Sequence, residues 1–240
     1  MAIIGILSHE KVAAELSILG EWAKERGHKI KRFYREENWN EAELLESDLV
    51  IVFGSPNSVS TGFIHPTAEK EIQMVKSRLD ADQPFFGICY GAQVMARALG
   101  GEVERRNEKN IGYKQISTNQ NFDNGGWVLW HEDFISPASL ENKEGIEILG
   151  TDAGAVIAFK NKRATAVQFH LEPWQKPTAV RAHRLVITAS RTASSTVRWQ
   201  YHNEQQLTLT FLSLLQHLVH LGLIVILVTQ VQLVYGISCK

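Results

Sequence analysis

Cysteine is scarce in this chain of 240 residues: there are two, Cys89 and Cys239, far apart in sequence. Such a pair builds no disulfide framework, so a reducing, cytoplasmic setting is expected rather than secretion. A basic excess is also missing. The formal net charge is -1, which argues against a dedicated nucleic-acid surface. The cluster "KIKRFYR" (29–35) reads as a strand with its solvated rim, and "VERRNEKN" (103–110), charged in both signs, as a surface loop. The N-terminus, "MAIIGILSHEK", lacks the basic region, apolar core and cleavage site of a secretory leader. None is expected there, and the segment reads as a first strand. The nine histidines are scattered, and "HLVH" (217–220) has no carboxylate or cysteine beside it. No metal or other cofactor is therefore expected.

What is present describes a globular protein, with 44% hydrophobic and 21% charged residues. The length suits one sizeable α/β domain with an appendage. Up to about residue 172, strand-like and helix-like segments alternate. Strands are expected at 3–7, 28–34, 47–56 and 83–88, and helices at 11–27, 67–79 and 91–100. Several strands are apolar throughout, which points to a mostly parallel sheet covered by helices on both faces. From about residue 102 shorter strand candidates follow ("GEVER", "GYKQIS", "GWVLW", "IEILG", "AVIAFK", "ATAVQFH"), a smaller antiparallel region.

The last residues differ in kind, which sets a domain at 1–190 and an atypical apolar tail at 191–240. Acidic residues nearly vanish: Glu204 is the only one from 176 to 240. The segment 207–236 carries no formal charge, and its length alone would let it span a bilayer. Gln216, His217, His220, Thr229, Gln230 and Gln232 interrupt it, and the two histidines would sit deep in lipid. A packed or self-associating element, allowing a homo-oligomer through the tail, is the preferred reading over a membrane anchor. A C-terminal sequence that never evolved with the domain stays open.

The chemistry concentrates on "GICYG" (87–91). It is the cysteine counterpart of the G-x-S-x-G elbow, in which a strained strand-to-helix turn lifts the nucleophile off the sheet edge. Unpaired N–H groups at the helix start favour an anion there, and the N–H of Tyr90 can point at a developing oxyanion. A small buried residue in a glycine-bordered turn is the competing reading. A nucleophilic thiol also needs a base and a group to orient it. "VQFHLEP" (167–173) offers His170 and Glu172, which share one face if the segment is a strand end.

Three separated motifs, "GSPNSV", "GICYGAQ" and "QFHLE", resemble the class I glutamine amidotransferase family, and within it the subgroup similar to the amidotransferase domain of GMP synthases. The resemblance covers residues 1 to about 175 and implies a flavodoxin-like α/β fold. It implies Cys89 as nucleophile, His170 as general base and acid, and Glu172 as its orienting partner. "FGSPNSV" matches the loop that supplies a second oxyanion N–H, near Gly54 and Ser55; many relatives carry two glycines where this chain has Gly54-Ser55. Gln93 stands where the family's elbow glutamine helps hold the substrate. "WVLWHEDF" resembles a pocket-lining segment, making His131 and Asp133 candidate substrate contacts; polar residues facing water is the other reading. Leu171 stands where proline is common. A complete GMP synthase also needs a nucleotide-activating domain, and nothing in 176–240 resembles one. Three functions stay open: a glutamine-hydrolysing enzyme, alone or feeding ammonia to a separate synthetase subunit; a γ-glutamyl hydrolase or peptidase; and a non-catalytic binding domain.

Overall fold

The computed structural model describes residues 1–10, 16–116 and 126–170. Five strands run parallel: β1 (Ile3–Ser8), β2 (Lys29–Tyr34), β3 (Leu49–Val52), β4 (Phe85–Ile88) and β9 (Ala164–Val167). Between them lie α1 (Ser17–Glu25), α2 (Glu41–Leu45), α3 (Ala68–Asp80) and α4 (Tyr90–Ala98). The rest is antiparallel: β5 (Val103–Gln115), β6 (Gly126–Ile135), β7 (Ile146–Asp152) and β8 (Ala155–Asn161). All nine join one sheet in the order β2-β1-β3-β4-β9-β8-β6-β5, with β7 also paired to β8. Its parallel half has the flavodoxin-like order, in which ligands bind beyond the carboxyl ends of the strands.

The apolar runs divide their side chains between two cores, as a period of two requires. Ile4, Ile6, Ile51, Phe53 and Phe86 pack with Trp22 and Ala23 of α1 and with Trp127 and Leu129 of β6. Leu7, Val50, Val52 and Phe85 pack with Leu44 of α2, Met74 and Val75 of α3, and Val94 and Met95 of α4. Helices thus cover both faces of the parallel half. Arg78, 1% exposed, closes the lower edge by donating to the carbonyls of Leu45, Ser47, Asp48 and Pro84 at 2.7–3.1 Å. Burial lowers this guanidinium to about 10, with Asp48 opposing that shift.

Two expectations need adjustment, and one helix was not expected at all. The helix assigned to 11–27 is seen from Ser17 to Glu25, residues 11–15 lying outside the described set. The charged stretch 103–110 is not a loop. It belongs to β5, whose pairing with β6 jumps from Arg105–Asp133 to Asn110–His131 around a bulge. Helix α2 had no sequence expectation; its five residues are capped by Asn40, whose side chain accepts from Glu43 N–H at 3.3 Å. The expected tail, 191–240, lies outside the described residues, as does Glu172. Among the described residues, no helix is long and apolar enough to cross a membrane.

Candidate active site

Every parallel strand delivers a polar or reactive residue to the same edge of the sheet. His9 follows β1, Arg35 and Glu36 follow β2, Gly54 and Ser55 lie just past β3, Cys89 follows β4, and His170 lies just past β9.

Cys89 has φ 54° and ψ -106°, a conformation that L-residues occupy at a cost of about 1–3 kcal/mol. The surroundings hold it there. Its N–H continues the β4–β9 ladder by donating to Val167 O at 2.8 Å, while its carbonyl accepts from Ala92 and Gln93 N–H to start α4. A side chain at Gly91 would run into the Val52 carbonyl, and one at Gly87 would meet Gly91 O at 2.5 Å. Both glycines therefore let α4 sit against β3 and β4. The thiol is 5% exposed and unpaired with any other cysteine among the described residues. Its Sγ lies 3.7 Å from Trp130 O.

His170 is fixed by its backbone, whose N–H donates to Val128 O at 2.8 Å in a bridge to β6. Its imidazole and Cys89 converge over Gly54. The space a side chain would take at 54 is bordered by His170 Cε1 at 3.0 Å and Cys89 Cβ at 3.7 Å.

The loop after β3 is tied on both sides. His9 donates from Nδ1 to Glu36 Oε1 at 2.7 Å, and its Nε2 lies 2.8 Å from Ser55 Oγ. Ser55 Oγ also accepts from Asn57 N–H at 3.0 Å, and Glu36 Oε2 from Glu10 N–H at 3.2 Å. On the inner side, Arg35 forms a two-pronged ion pair with Glu71 at 2.9–3.1 Å, side chains 3% and 2% exposed. The same guanidinium donates to Phe53 O at 3.1 Å and Gly54 O at 3.3 Å, and stacks 4.8 Å from the Tyr90 ring centroid. Burial, with Glu71 adding to it, raises the Tyr90 phenol well above its ordinary value. Arg35 corrects the reading of 29–35 as a strand with a solvated rim: its guanidinium is buried. Sequence inspection missed His9, Glu36, Arg35 and Glu71. The usable signal was position, since His9, Arg35 and Glu36 lie within two residues of a strand's carboxyl end in an α/β alternation.

Behind the thiol lies a buried polar group. Gln93, 3% exposed, donates from Nε2 to Asp133 O at 3.1 Å and Gln168 Oε1 at 3.3 Å. His131, 5% exposed, has Nδ1 2.9 Å from the same Asp133 carbonyl. A carbonyl only accepts, so Nδ1 carries the proton and Nε2 presents a lone pair. That Nε2 has no hydrogen-bond partner among the described residues. Burial lowers the imidazole to about 4, opposed by the Asp133 bond and assisted by His170 and Lys114. The Asp133 carboxylate is engaged elsewhere, accepting from Ser58 Oγ and pairing with Arg105 Nε at 3.2 Å. Structure thus brings Cys89, His170, Gly54, Ser55, Tyr90, Gln93 and His131 into one region, and turns the Asp133 side chain toward the 58–60 loop.

A family model described as glutamine amidotransferase class-I matches residues 19–184. A GMP synthase [glutamine-hydrolyzing] of Nocardia farcinica is 36% identical over 138 residues, 53% of this chain and 24% of that protein. Its counterpart in Clostridium perfringens is 35% identical over 142 residues, 53% of this chain and 25% of that protein. The chain thus spans about a quarter of the length of the curated relatives it matches. A glutamine amidotransferase structure from Thermotoga maritima superposes with a TM-score of 0.65 at 22% identity, covering 91% of this chain and 98% of that one. One from Methylobacillus flagellatus gives 0.66 at 17% identity, covering 92% of each. At such identities the two structures speak for the fold.

Proposed function

The chain belongs to the class I glutamine amidotransferase family, and from that premise we propose that it hydrolyses the side-chain amide of glutamine through a thioester on Cys89. In this reading His170 takes the Sγ proton as sulfur attacks the amide carbon, and the carbonyl electron pair moves onto oxygen. N–H groups of Tyr90 and of the Gly54–Ser55 loop meet that oxyanion, each donor being worth about 2.7–4 kcal/mol in such a site. Collapse breaks the C–N bond, and ammonia leaves with the proton returned by His170. Water, losing a proton to the same imidazole, then attacks the thioester and releases glutamate and the free thiol. Glu172 orients the imidazole, Gln93 and His131 form the substrate side of the pocket, and Asp133 holds both through its carbonyl rather than touching substrate with its carboxylate. The neutral Nε2 of His131 suits a substrate N–H donor. Ammonia is released or passes to a separate synthetase subunit, and a thiol nucleophile fits a cytoplasmic setting.

The observation that supports this reading best is the backbone of Cys89, held at φ 54° beside His170 over a side-chain-free Gly54. Strain of that kind, maintained by a ladder bond and two close-packed glycines, suits a nucleophile better than a core filler. The test is Cys89→Ser and Cys89→Ala. Both are expected to abolish ammonia release from glutamine while circular dichroism and the urea midpoint stay close to those of the parent. Retained turnover in either variant would sink the assignment.

One observation favours a γ-glutamyl hydrolase or peptidase as the second reading. Trp130, whose carbonyl touches Sγ, is 51% exposed and pairs across the sheet with Ile111, 41% exposed. That apolar pair beside the thiol could take a bulky leaving group. Comparing kcat/KM for free glutamine and γ-glutamyl anilides separates the two, a strong preference for the anilides favouring the peptidase.

A further inference from the structure

We propose that Arg35 and His9 are positioning residues that preset the Gly54–Ser55 peptide, so that its N–H is aimed as an oxyanion donor before any substrate or partner binds. The proposal rests on the amidotransferase reading above and deepens it.

The argument begins with the peptide plane. In a trans peptide the C=O and the following N–H point in opposite directions. Arg35 Nη1 donates to Gly54 O, so the Ser55 N–H faces away from the guanidinium. Arg35 Nη2 fixes Phe53 O in the same way, which sets the Gly54 N–H as well. Cys89 and His170 border the position a side chain would take at Gly54, so the thiol lies next to the peptides whose carbonyls Arg35 holds.

The guanidinium itself has little freedom. Its two-pronged bond to Glu71 is buried, and a planar fork can hold a carboxylate and two carbonyls at once where an ammonium cannot. Turning the Gly54–Ser55 peptide over would leave a buried guanidinium N–H without its acceptor, an expensive arrangement. Tyr90, the other donor-bearing residue, lies against the same guanidinium. One side chain thus touches both halves of the oxyanion site.

His9 secures the outer side. With the Nδ1 proton committed to Glu36, Nε2 accepts from the Ser55 hydroxyl, and the Asn57 N–H holds the same oxygen. A glycine at 55 would offer neither bond. The serine that departs from the family's pair of glycines is therefore the handle by which the loop is anchored.

The test uses the full chain with Arg35→Lys, His9→Ala, His9→Gln and Ser55→Ala. An oxyanion donor acts on the transition state, so misaiming it lowers kcat and leaves KM nearly alone. Arg35→Lys and His9→Ala are expected to lose roughly 10- to 100-fold in kcat on glutamine, short of the about 10²–10³-fold cost of deleting a donor. KM should stay within about twofold. His9→Gln, whose amide oxygen can still accept from Ser55, should recover most of the loss. Alkylation of Cys89 by iodoacetamide needs no oxyanion donor and should keep the parent rate in every variant. Should Arg35→Lys fail to fold, His9→Ala and Ser55→Ala address the same peptide from the rim. Parent-like kcat in the folded variants overturns the proposal, as does a kcat loss matched by an equal loss of alkylation. Crystal structures of the variants read the clamp without substrate: an unmoved Gly54–Ser55 peptide overturns it, and a rotated one supports it. A parent chain inactive on glutamine, with the peptide rotating in the variants, would overturn the functional reading and leave the clamp standing.

Discussion

An imidazole with one nitrogen committed to a carbonyl and the other buried cannot take up a second proton cheaply. His131 is in that position, held near 4 by burial against an ordinary value of 6.5. Between those values the unfolded chain binds the proton and the folded chain does not. Stability is therefore intact above about pH 6.5 and falls as pH drops toward 4, by up to about 1.4 kcal/mol per unit. Urea midpoints between pH 7 and 4.5 should fall more steeply for the parent than for His131→Asn; equal slopes would contradict the assignment. The segment around His131 was legible in the sequence because it lies in a contiguous motif. Arg35 and His9 were not, because their partners come from elements distant in sequence: Glu71 of α3 lies 36 residues from Arg35, and Ser55, in the loop after β3, lies 46 from His9. A basic residue after a strand looks the same in sequence whether it faces water or a buried carboxylate.

At the scale of elements, the turn from β4 into α4 depends on the helix lying directly on β3. Gly91 is the contact, and a methyl group there meets the Val52 carbonyl, which belongs to a ladder and has little room to yield. Gly91→Ala should cost about 2–3 kcal/mol, the scale of core overpacking. It should also depress glutamine turnover by more than its unfolded fraction explains, because the Cys89 turn moves with the helix. Urea denaturation and kcat at a temperature where the variant is folded check both parts. The helical period of the 13-residue α3 and the unbroken apolar run of β4 were legible from their patterns. The short α2 was not: five residues held by one cap carry too little period to read. The bulged middle of β5 escaped for a related reason: its residues are mostly exposed, and their partners, such as Glu132 for Lys109 and the carbonyls of Ala153 and Gly154 for Arg106, lie far along the chain.

Over the whole molecule, a parallel half and an antiparallel half share one sheet, with β9 pairing parallel to β4 and antiparallel to β8. The division into a unit at 1–190 and an appended segment at 191–240 is a proposal, and truncation tests it. A chain stopped at 190 is expected to remain soluble and to keep its glutamine turnover. Aggregation of that chain would mean that the tail completes the core. The tail's odd composition was legible, but its role was not, because an uncharged run of mixed polar and apolar residues fits several packed arrangements. The position of β9 also has a consequence in time. The last described strand to leave the ribosome is one that belongs in the middle of the sheet, so the two halves can be made but not joined until it arrives. Cys89 then spends the synthesis of the intervening chain without the Val167 carbonyl that fixes its turn and without His170 beside it. A nascent chain would carry the thiol long before it carried the means to use it.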